Sequence, residues 1–297
     1  MKCTIPQQER IQGDRFIEMS DIRYESGIQI PNENGKTFCI FCKTELVWQL
    51  LQEIRKNPQS EYIIITHESD TGITEELIRS AGDIPNNVKK WFGQNIECKR
   101  DKVESVPIGS VSTTWIGEKE FAYDTEYIHW LHPAHQYVEV PEIKEEKNFI
   151  NLVYMNFAIR TNESHRRPIY NHFKDMSWVT ARECDLSVQE YGDSPNFVSN
   201  KDYFNELYRH KFTISPLGNG VDCGRVWQAI CVGTIPIIPY HRNLDFYQEL
   251  PILAYNDVNE ISESYLNDKW EEISNKEYDL SKATVSYWRK RIENEKG

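Results

Sequence analysis

The chain has 297 residues, of which 39% are hydrophobic and 12% aromatic, so it is long and apolar enough for two domains with ordinary cores. Its formal net charge of −12 argues against nucleic acid or an anionic membrane surface as a partner, because such partners require a basic face. A small phosphorylated ligand stays compatible, since it needs only one or two arginines.

The cysteines and the N-terminal stretch favour a soluble cytoplasmic protein. The seven cysteines are odd in number and scattered, which suits reduced thiols better than a disulfide framework. Cys39 and Cys42 lie in an apolar run, where core packing is favoured over zinc binding. The first 16 residues lack the apolar segment of a signal peptide, and no apolar run approaches the ~20 residues needed to span a bilayer.

Strands and helices alternate along the first third of the chain, as in βαβ units on a parallel sheet. Leu46, Leu50 and Ile54 recur at four-residue spacing and mark an amphipathic helix, for which Thr44 is the predicted cap. The predicted elements in this part are strands at 36–42 and 60–70, helices at 43–58 and 74–81, and a helix running into a strand at 86–98.

The alternation restarts after an aromatic stretch (115–137) and a charged, proline-bearing linker (139–147). The predicted elements of the second part are strands at 148–157, 177–184, 212–215, 235–239 and 251–257, and helices at 164–175, 200–211, 222–232, 244–250, 259–274 and 286–296. The sequence therefore predicts an α/β protein with Rossmann-like domains at 1–147 and 148–280, facing each other across a cleft. A C-terminal helix within 281–297 is expected to pack back on the first domain.

A glycine-rich turn lies between a strand and a helix in "FTISPLGNGVDCGRVWQAICVGTIPIIP", residues 212–239. Gly218 and Gly220 allow close backbone approach, and a helix beginning near Asp222 would offer free N–H groups to an anion. Arg225, one turn into that helix, is suitably placed for a pyrophosphate. The alternative is that Asp222 is a helix cap, Arg225 its local ion-pair partner and the glycines simple turn residues.

Two common phosphate motifs do not fit this turn. Its spacing, G-x-G-x-x-x-G, is one residue longer than the dinucleotide fingerprint, and no acidic residue ends the next strand to bind a ribose. No G-K-[ST] follows the glycines, which excludes a P-loop. A dehydrogenase is therefore disfavoured, although a nicotinamide-dependent oxidoreductase is kept as a rival.

The same segment, continued by "YQELPILAYNDVNEIS", resembles the signature of the exostosin-like glycosyltransferases (family GT47). The pattern shared with that family is found at Phe212, Pro216, Gly218, Arg225, Ala229, Gly233, Ile235, Pro236, Leu250 and Pro251. It departs at Gln228, where the family often has the glutamate that holds the nucleotide ribose. Weaker similarity to small stand-alone members from bacteria and large algal viruses is found at 153–173 and 88–110, and a viral member would act in the host cytoplasm.

The resemblance implies a GT-B fold and transfer with inversion from a UDP-sugar, with UDP-xylose, UDP-galactose and UDP-glucuronate as candidate donors and a glycan as acceptor. The chain lacks the D-x-D metal clamp of GT-A transferases, so neither metal nor cofactor is expected and arginine must stabilise the departing UDP. Arg225 is the first candidate for that task and Arg166 the second, with Arg160 and Arg167 as rivals. The full set of predicted donor-binding residues is Arg225, Asp222, Gly220, Asn219, Gly218, Pro216, Ser215, Gln228, Arg166 and Asn156.

An inverting displacement also needs a general base, which is expected from the first domain. "THESD", at the end of the predicted strand 60–70, offers Asp70 as the favoured base and His67 as the second choice. The alternative for Asp70 is a cap on the helix 74–81. The predicted acceptor-binding residues are Glu68, Ser69, Trp91 and Asn95.

Two further features have alternative interpretations. His129, His132 and His135 are spaced like a metal cluster, but Pro133 breaks any shared helical face. The aromatic residues of 115–137 either stack on an acceptor sugar or fill the core of the first domain. A glycan-binding protein that lost catalysis is the remaining alternative for the whole chain, and Gln228 is the residue that suggests it.

Overall fold

The structure is a computed structural model that describes residues 5–11, 13–110, 147–183 and 200–297. Its strands are β1 Ile22–Arg23, β2 Thr37–Lys43, β3 Glu61–His67, β4 Val88–Gly93, β5 Val103–Ser105, β6 Asn151–Phe157, β7 Val179–Glu183, β8 His210–Ile214, β9 Ile235–Pro239 and β10 Leu253–Tyr255. Its helices are α1 Gly13–Glu18, α2 Val47–Lys56, α3 Glu75–Ser80, α4 Glu163–Phe173, α5 Asn200–Tyr208, α6 Gly224–Val232, α7 Glu263–Ser274 and α8 Val285–Lys296.

The strands form two five-stranded sheets, one in each half of the chain. The first has the order β1-β2-β3-β4-β5 and the second the order β10-β9-β8-β6-β7, and all of these neighbouring pairs are parallel. Parallel strands are covered by helices on both faces, which explains why β3 is buried at every position from Tyr62 to His67. The predicted α/β class, with a parallel sheet in each half of the chain, is confirmed.

The amphipathic helix of the first half begins later than its sequence predicts. α2 starts at Val47 after a short 3-10 turn at Thr44–Leu46, and Val47, Leu50, Leu51 and Ile54 are its buried residues. The prediction that Thr44 caps this helix is wrong. Its side chain is buried, and its hydroxyl makes no hydrogen bond within the described part of the chain.

Two other predicted helices differ from the structure. Residues 86–98 contain strand β4 but no helix, because the Asn87 amide donates to the carbonyls of Asn57 and Ser60 at 3.2 Å and fixes a turn before the strand. The predicted helix at 244–250 is a shorter 3-10 turn at Arg242–Phe246.

The two halves share buried contacts. One apolar cluster contains Phe92 of the first half and Trp227 of the second. The Ser105 hydroxyl is hydrogen-bonded to Oδ1 of Asn243 and lies 3.1 Å from the Tyr247 hydroxyl, and all three side chains are buried.

Helix α8 follows the second sheet in the chain and lies against the first. Trp288 packs edge-on against Phe92 with ring centroids 6.4 Å apart, and Arg291 pairs with Glu104 at 2.8 Å. No helix within the described ranges is long and apolar enough to cross a membrane. The aromatic stretch 115–137, the histidines at 129, 132 and 135, and most of the predicted linker lie outside the described residues.

Candidate functional site

The strand order of the second sheet reverses at β6. The chain passes from β6 to β7 on one side and then returns to β8 on the other, so the loops that follow β6 and β8 diverge and leave a crevice. Ligands of open parallel sheets bind in such a crevice, at the carboxyl ends of the strands. The glycine-rich turn follows β8 and therefore lies at this position.

The main chain of the turn directs its carbonyl groups toward side chains near α4. The carbonyl of Leu217 accepts a 2.7 Å hydrogen bond from Nε of Arg166, and that of Gly218 accepts a 2.9 Å bond from Nδ2 of Asn162. Within the described part of the chain, the N–H groups of Asn219 and Gly220 donate no hydrogen bond to the main chain or to a side chain. The carbonyl groups of Leu217 and Gly218 are thus bonded to side chains, whereas the N–H groups of Asn219 and Gly220 are available to a ligand. This arrangement favours an anion at the turn.

Arg166 places a buried positive charge beside the turn. The residue is 3% exposed, and besides Leu217 its guanidinium donates to the carbonyl of Ala158 at 2.6 Å and lies 5.8 Å from the Phe157 ring centroid. Burial, followed by the charge of Arg225, lowers the pKa of Arg166 to about 10. Its two hydrogen-bond acceptors are neutral, so these bonds orient the cation without cancelling its charge.

Arg225 lies in the first turn of α6, close enough to Arg166 for the two charges to repel each other. Its Nη1 is 3.7 Å from Sγ of Cys223, the residue that precedes the helix, and the same sulfur is 3.9 Å from the Ser215 hydroxyl. The positive end of α6 and two neighbouring guanidinium groups thus meet at the crevice. Of the rival arginines, Arg160 is exposed and Arg167 pairs with Glu163 at 3.2 Å.

Three further predicted donor residues are buried, and Gln228 is half-buried. Ser215 and Pro216 are buried under the turn, and Asn156 is 6% exposed with Nδ2 donating to the Tyr154 hydroxyl at 2.8 Å. Gln228 uses both ends of its amide: Nε2 donates to the Ser110 carbonyl at 3.0 Å, and Oε1 accepts from the Tyr203 hydroxyl at 2.9 Å.

Asp222, which is predicted to contact the donor, lies at the boundary between the two halves. Its carboxylate is buried and accepts hydrogen bonds of 2.8 Å from the N–H groups of Ile108 and Cys223 and from Nε1–H of Trp227. Burial raises the pKa of this carboxyl group, while the three donors act in the opposite direction. Asp222 therefore joins the two halves, and the residue preceding α6 is Cys223, so helix α6 begins at Gly224.

Asp70 lies at the mouth of the crevice. It follows β3, is exposed, and its Oδ2 accepts a 2.9 Å hydrogen bond from Nδ2 of Asn219 in the glycine-rich turn. Asp70 does not cap α3, because the hydroxyl of Thr74 accepts the N–H of Leu77 at the start of that helix. The structure thus brings the predicted base and a predicted donor residue together from opposite halves.

His67 has a different environment from Asp70. The side chain is 1% exposed and stacks on Phe16, with ring centroids 4.9 Å apart. Its Nε2 lies 3.1 Å from the Pro107 carbonyl and its Nδ1 lies 3.4 Å from the Glu68 carboxylate. Neither ring nitrogen of His67 therefore faces solvent.

The four residues predicted to bind the acceptor have largely enclosed side chains. Trp91 is completely buried and donates from Nε1 to the Thr66 hydroxyl at 2.9 Å, as a core residue. Asn95 is 1% exposed and bonds the main chain of Asp222 and Ser69. The Ser69 hydroxyl donates to Glu45 at 2.6 Å, and the Glu68 side chain is 6% exposed beside His67.

Sequence patterns did not single out Glu45 and Asn162. Glu45 follows β2 at the same sheet edge as Asp70, is exposed, and accepts from the hydroxyl groups of Ser69 and Thr71 at 2.6 and 3.3 Å. Asn162 immediately precedes α4 and holds the Gly218 carbonyl. Both residues closely follow the carboxyl end of a predicted strand, and that position is the sequence feature by which they could have been found.

The described residues contain no group of three or more His, Cys, Asp or Glu side chains arranged to hold a metal ion.

No family model matches the chain, and no curated protein sequence matches it, so the resemblance to exostosin-like glycosyltransferases stays a proposal. The structure is similar to the crystal structure of a UDP-forming α,α-trehalose-phosphate synthase from Burkholderia xenovorans. That similarity has a TM-score of 0.37 and 10% sequence identity, and it covers 87% of this chain and 73% of the other. At these values it does not identify a substrate for this chain.

Proposed function

We propose that the chain is an exostosin-like glycosyltransferase, which moves a sugar from a UDP-sugar to a hydroxyl of a glycan. The observation that carries this proposal is the pair of neighbouring guanidinium groups, Arg166 and Arg225, at the switch point between β6 and β8. Two such cations repel each other, and a ligand with two adjacent negative groups would remove that cost. A nucleoside diphosphate is a ligand of that kind.

The same pair suits the chemistry of the leaving group. When the bond between the anomeric carbon and the diphosphate breaks, negative charge grows on the phosphate oxygens. Guanidinium groups and the N-terminal end of α6 stabilise that charge as it develops. In this proposal they take the place of a metal ion, and the reaction therefore proceeds in the presence of a chelator.

Asp70 is the proposed base for an inverting reaction. Its carboxylate accepts the proton of the acceptor hydroxyl while that oxygen attacks the anomeric carbon on the face opposite the departing UDP. Its contact with Asn219 supports this role, because it places an exposed carboxylate of the first half beside the turn that would hold the donor. The enclosed His67 is not retained as the base.

Gln228 supports one rival, a protein of the same fold that binds a glycan without transferring sugar. The amide of Gln228 is hydrogen-bonded to Ser110 and Tyr203. It therefore does not supply the carboxylate that, according to the family resemblance, would bind the ribose. In the transferase proposal, ribose contacts come from other groups. UDP-xylose is the first donor to test, followed by UDP-galactose and UDP-glucuronate.

Calorimetry with UDP tests the donor site directly. The wild-type chain should bind UDP, and Arg225→Ala should weaken binding by at least about 10-fold, since a hydrogen bond to a charged group contributes roughly 1.5–3 kcal/mol. Thermal unfolding of the variant checks that it is folded. Binding of NAD(H) without UDP or GDP, or equal UDP affinity of the two proteins, would overturn the proposal. UDP release from the three donors with chelator present then separates a transferase from a binding protein.

A further inference from the structure

The carboxylate of Asp222 joins two segments at the boundary between the two halves. Ile108 belongs to the first half, whereas Cys223 and Trp227 belong to the second, and each donates an N–H at 2.8 Å. Cys223 precedes α6 and Trp227 lies one turn along it. The carboxylate therefore fixes the start of α6, the helix that carries Arg225, against the first half.

Asn95 provides a second connection at the same place. Its Oδ1 accepts the main-chain N–H of Asp222 at 2.9 Å, and its Nδ2 donates to the Ser69 carbonyl at 3.2 Å. Its backbone has a φ of 54°, a left-handed conformation that asparagine tolerates better than most residues. Because Ser69 directly precedes Asp70, one amide holds both the segment of the proposed base and the segment that leads into α6.

Glycines make this close approach of the two halves sterically feasible. A Cβ at Gly220 would lie 2.3 Å from Nδ2 of Asn95, and a Cβ at Gly224 would lie 3.3 Å from the Gly109 carbonyl oxygen. Gly220 in the turn and Gly224 at the start of α6 therefore permit close contact with the first half.

Other contacts keep the halves together independently of Asn95. The buried Asn243 of the second half is hydrogen-bonded to Ser105 of the first, and α8 packs on the first sheet through Trp288 and Arg291. Loss of the Asn95 amide should therefore disturb the alignment at the crevice without separating the halves.

We propose that Asn95 and Asp222 are positioning residues, which align the diphosphate site of the second half with Asp70 of the first. This inference rests on the proposed function. The two side chains touch neither donor nor acceptor, and they act through α6, the glycine-rich turn and the segment 69–70. The crevice is thus held in register before a substrate binds.

The test compares two buried amides that both cross the boundary. Asn95→Gly removes one of them and tolerates the positive φ, whereas Asn243→Ala removes the other, away from the turn. Thermal unfolding, UDP affinity and kcat for donor turnover are measured for both variants. Both should lower the melting temperature, but only Asn95→Gly should reduce kcat, by about 10- to 100-fold as expected for a displaced catalytic geometry.

A conservative variant gives a further readout. Asn95→Asp keeps an acceptor for the N–H of Asp222 but loses the bond to Ser69, so its kcat should fall between those of wild type and Asn95→Gly. If Asn95→Gly and Asn243→Ala alter kcat equally, or if neither alters it, the positioning role is wrong. The proposed function is still supported in that case, provided that the wild-type chain binds UDP. If wild type binds no nucleoside diphosphate, the proposed function and this inference both fail.

Discussion

Within the described residues, the two halves have the same number of parallel strands but differ in strand order. The first sheet runs from β1 to β5 without reversal, whereas the second reverses between β6 and β8. Only a reversal makes neighbouring loops diverge, and the second half therefore has both a crevice and the arginine pair beside it. At the corresponding edge of the first half, Ser69 and Thr71 bond Glu45, whereas the exposed Asp70 bonds Asn219 of the second half.

This difference suggests a division of labour, in which the second half binds the donor and the first supplies the base. It also explains why similar sequence patterns have different meanings in the two halves. After β4, Asn95 bonds the facing half, whereas after β6 Arg166 bonds the glycine-rich turn of its own half.

The largest expected effect comes from removing the proposed base. Asp70→Asn should lower kcat by about 10²- to 10⁴-fold, the usual contribution of a general base, while UDP affinity changes little. Turnover assays and calorimetry on the same preparation separate the two quantities. A variant with full activity would show that the first half supplies no base at Asp70, and loss of UDP binding would show that the two functions are not divided between the halves.

A smaller effect is expected from Arg166, and the adjacent Arg167 provides a matched control. Arg166→Ala should weaken UDP binding by about 10- to 100-fold, because a buried guanidinium is lost, whereas the ion pair of the partly exposed Arg167 contributes roughly 0–1 kcal/mol to stability. Arg166→Lys keeps the charge but not the fork of donors, so its affinity should be intermediate. Equal affinities of the Arg166→Ala and Arg167→Ala variants would contradict a donor site at the switch point.

The sequence was sufficient to predict the two alternating α/β halves and the place of the glycine-rich turn. Apolar runs such as 62–65, next to amphipathic helices, leave few other packings than a covered parallel sheet. The identity of the residues that face the crevice could not be predicted in the same way. Asp222 looks like a local helix cap, and only its bond to Ile108, 114 positions away, shows that it joins the halves.

Burial likewise separated residues that have the same position in the sequence pattern. His67 and Asp70 are three positions apart at the end of β3, yet one is enclosed and the other exposed. Glu68, between them, has a φ of 59°, so the chain turns sharply there and directs its neighbours differently. A left-handed glutamate is not foreseen from propensity, because it depends on the packing of Phe16 and Gly13 from a distant helix.

The smallest expected effect concerns acid stability, and it is assigned to the second half. Burial lowers the pKa of His241, which follows β9, to about 4, although the nearby Asp245 raises it. The native state therefore keeps His241 neutral while the unfolded chain takes up a proton below about pH 6.5. Its contribution to stability is complete above that pH and is lost as the pH falls towards 4, by about 1–3 kcal/mol.

His241→Asn should remove this part of the acid destabilisation. Denaturant unfolding at pH 8 measures the packing cost of the substitution, and the additional loss between pH 8 and pH 4.5 should be about 1–3 kcal/mol smaller in the variant than in wild type. Hydrogen exchange at pH 4.5 should show the amides of β9 and β10 protected less than those of β3, since an opening that exposes His241 allows it to take up a proton. If wild type and the His241→Asn variant lose the same free energy of unfolding on acidification, His241 is not the cause of acid sensitivity in the second half.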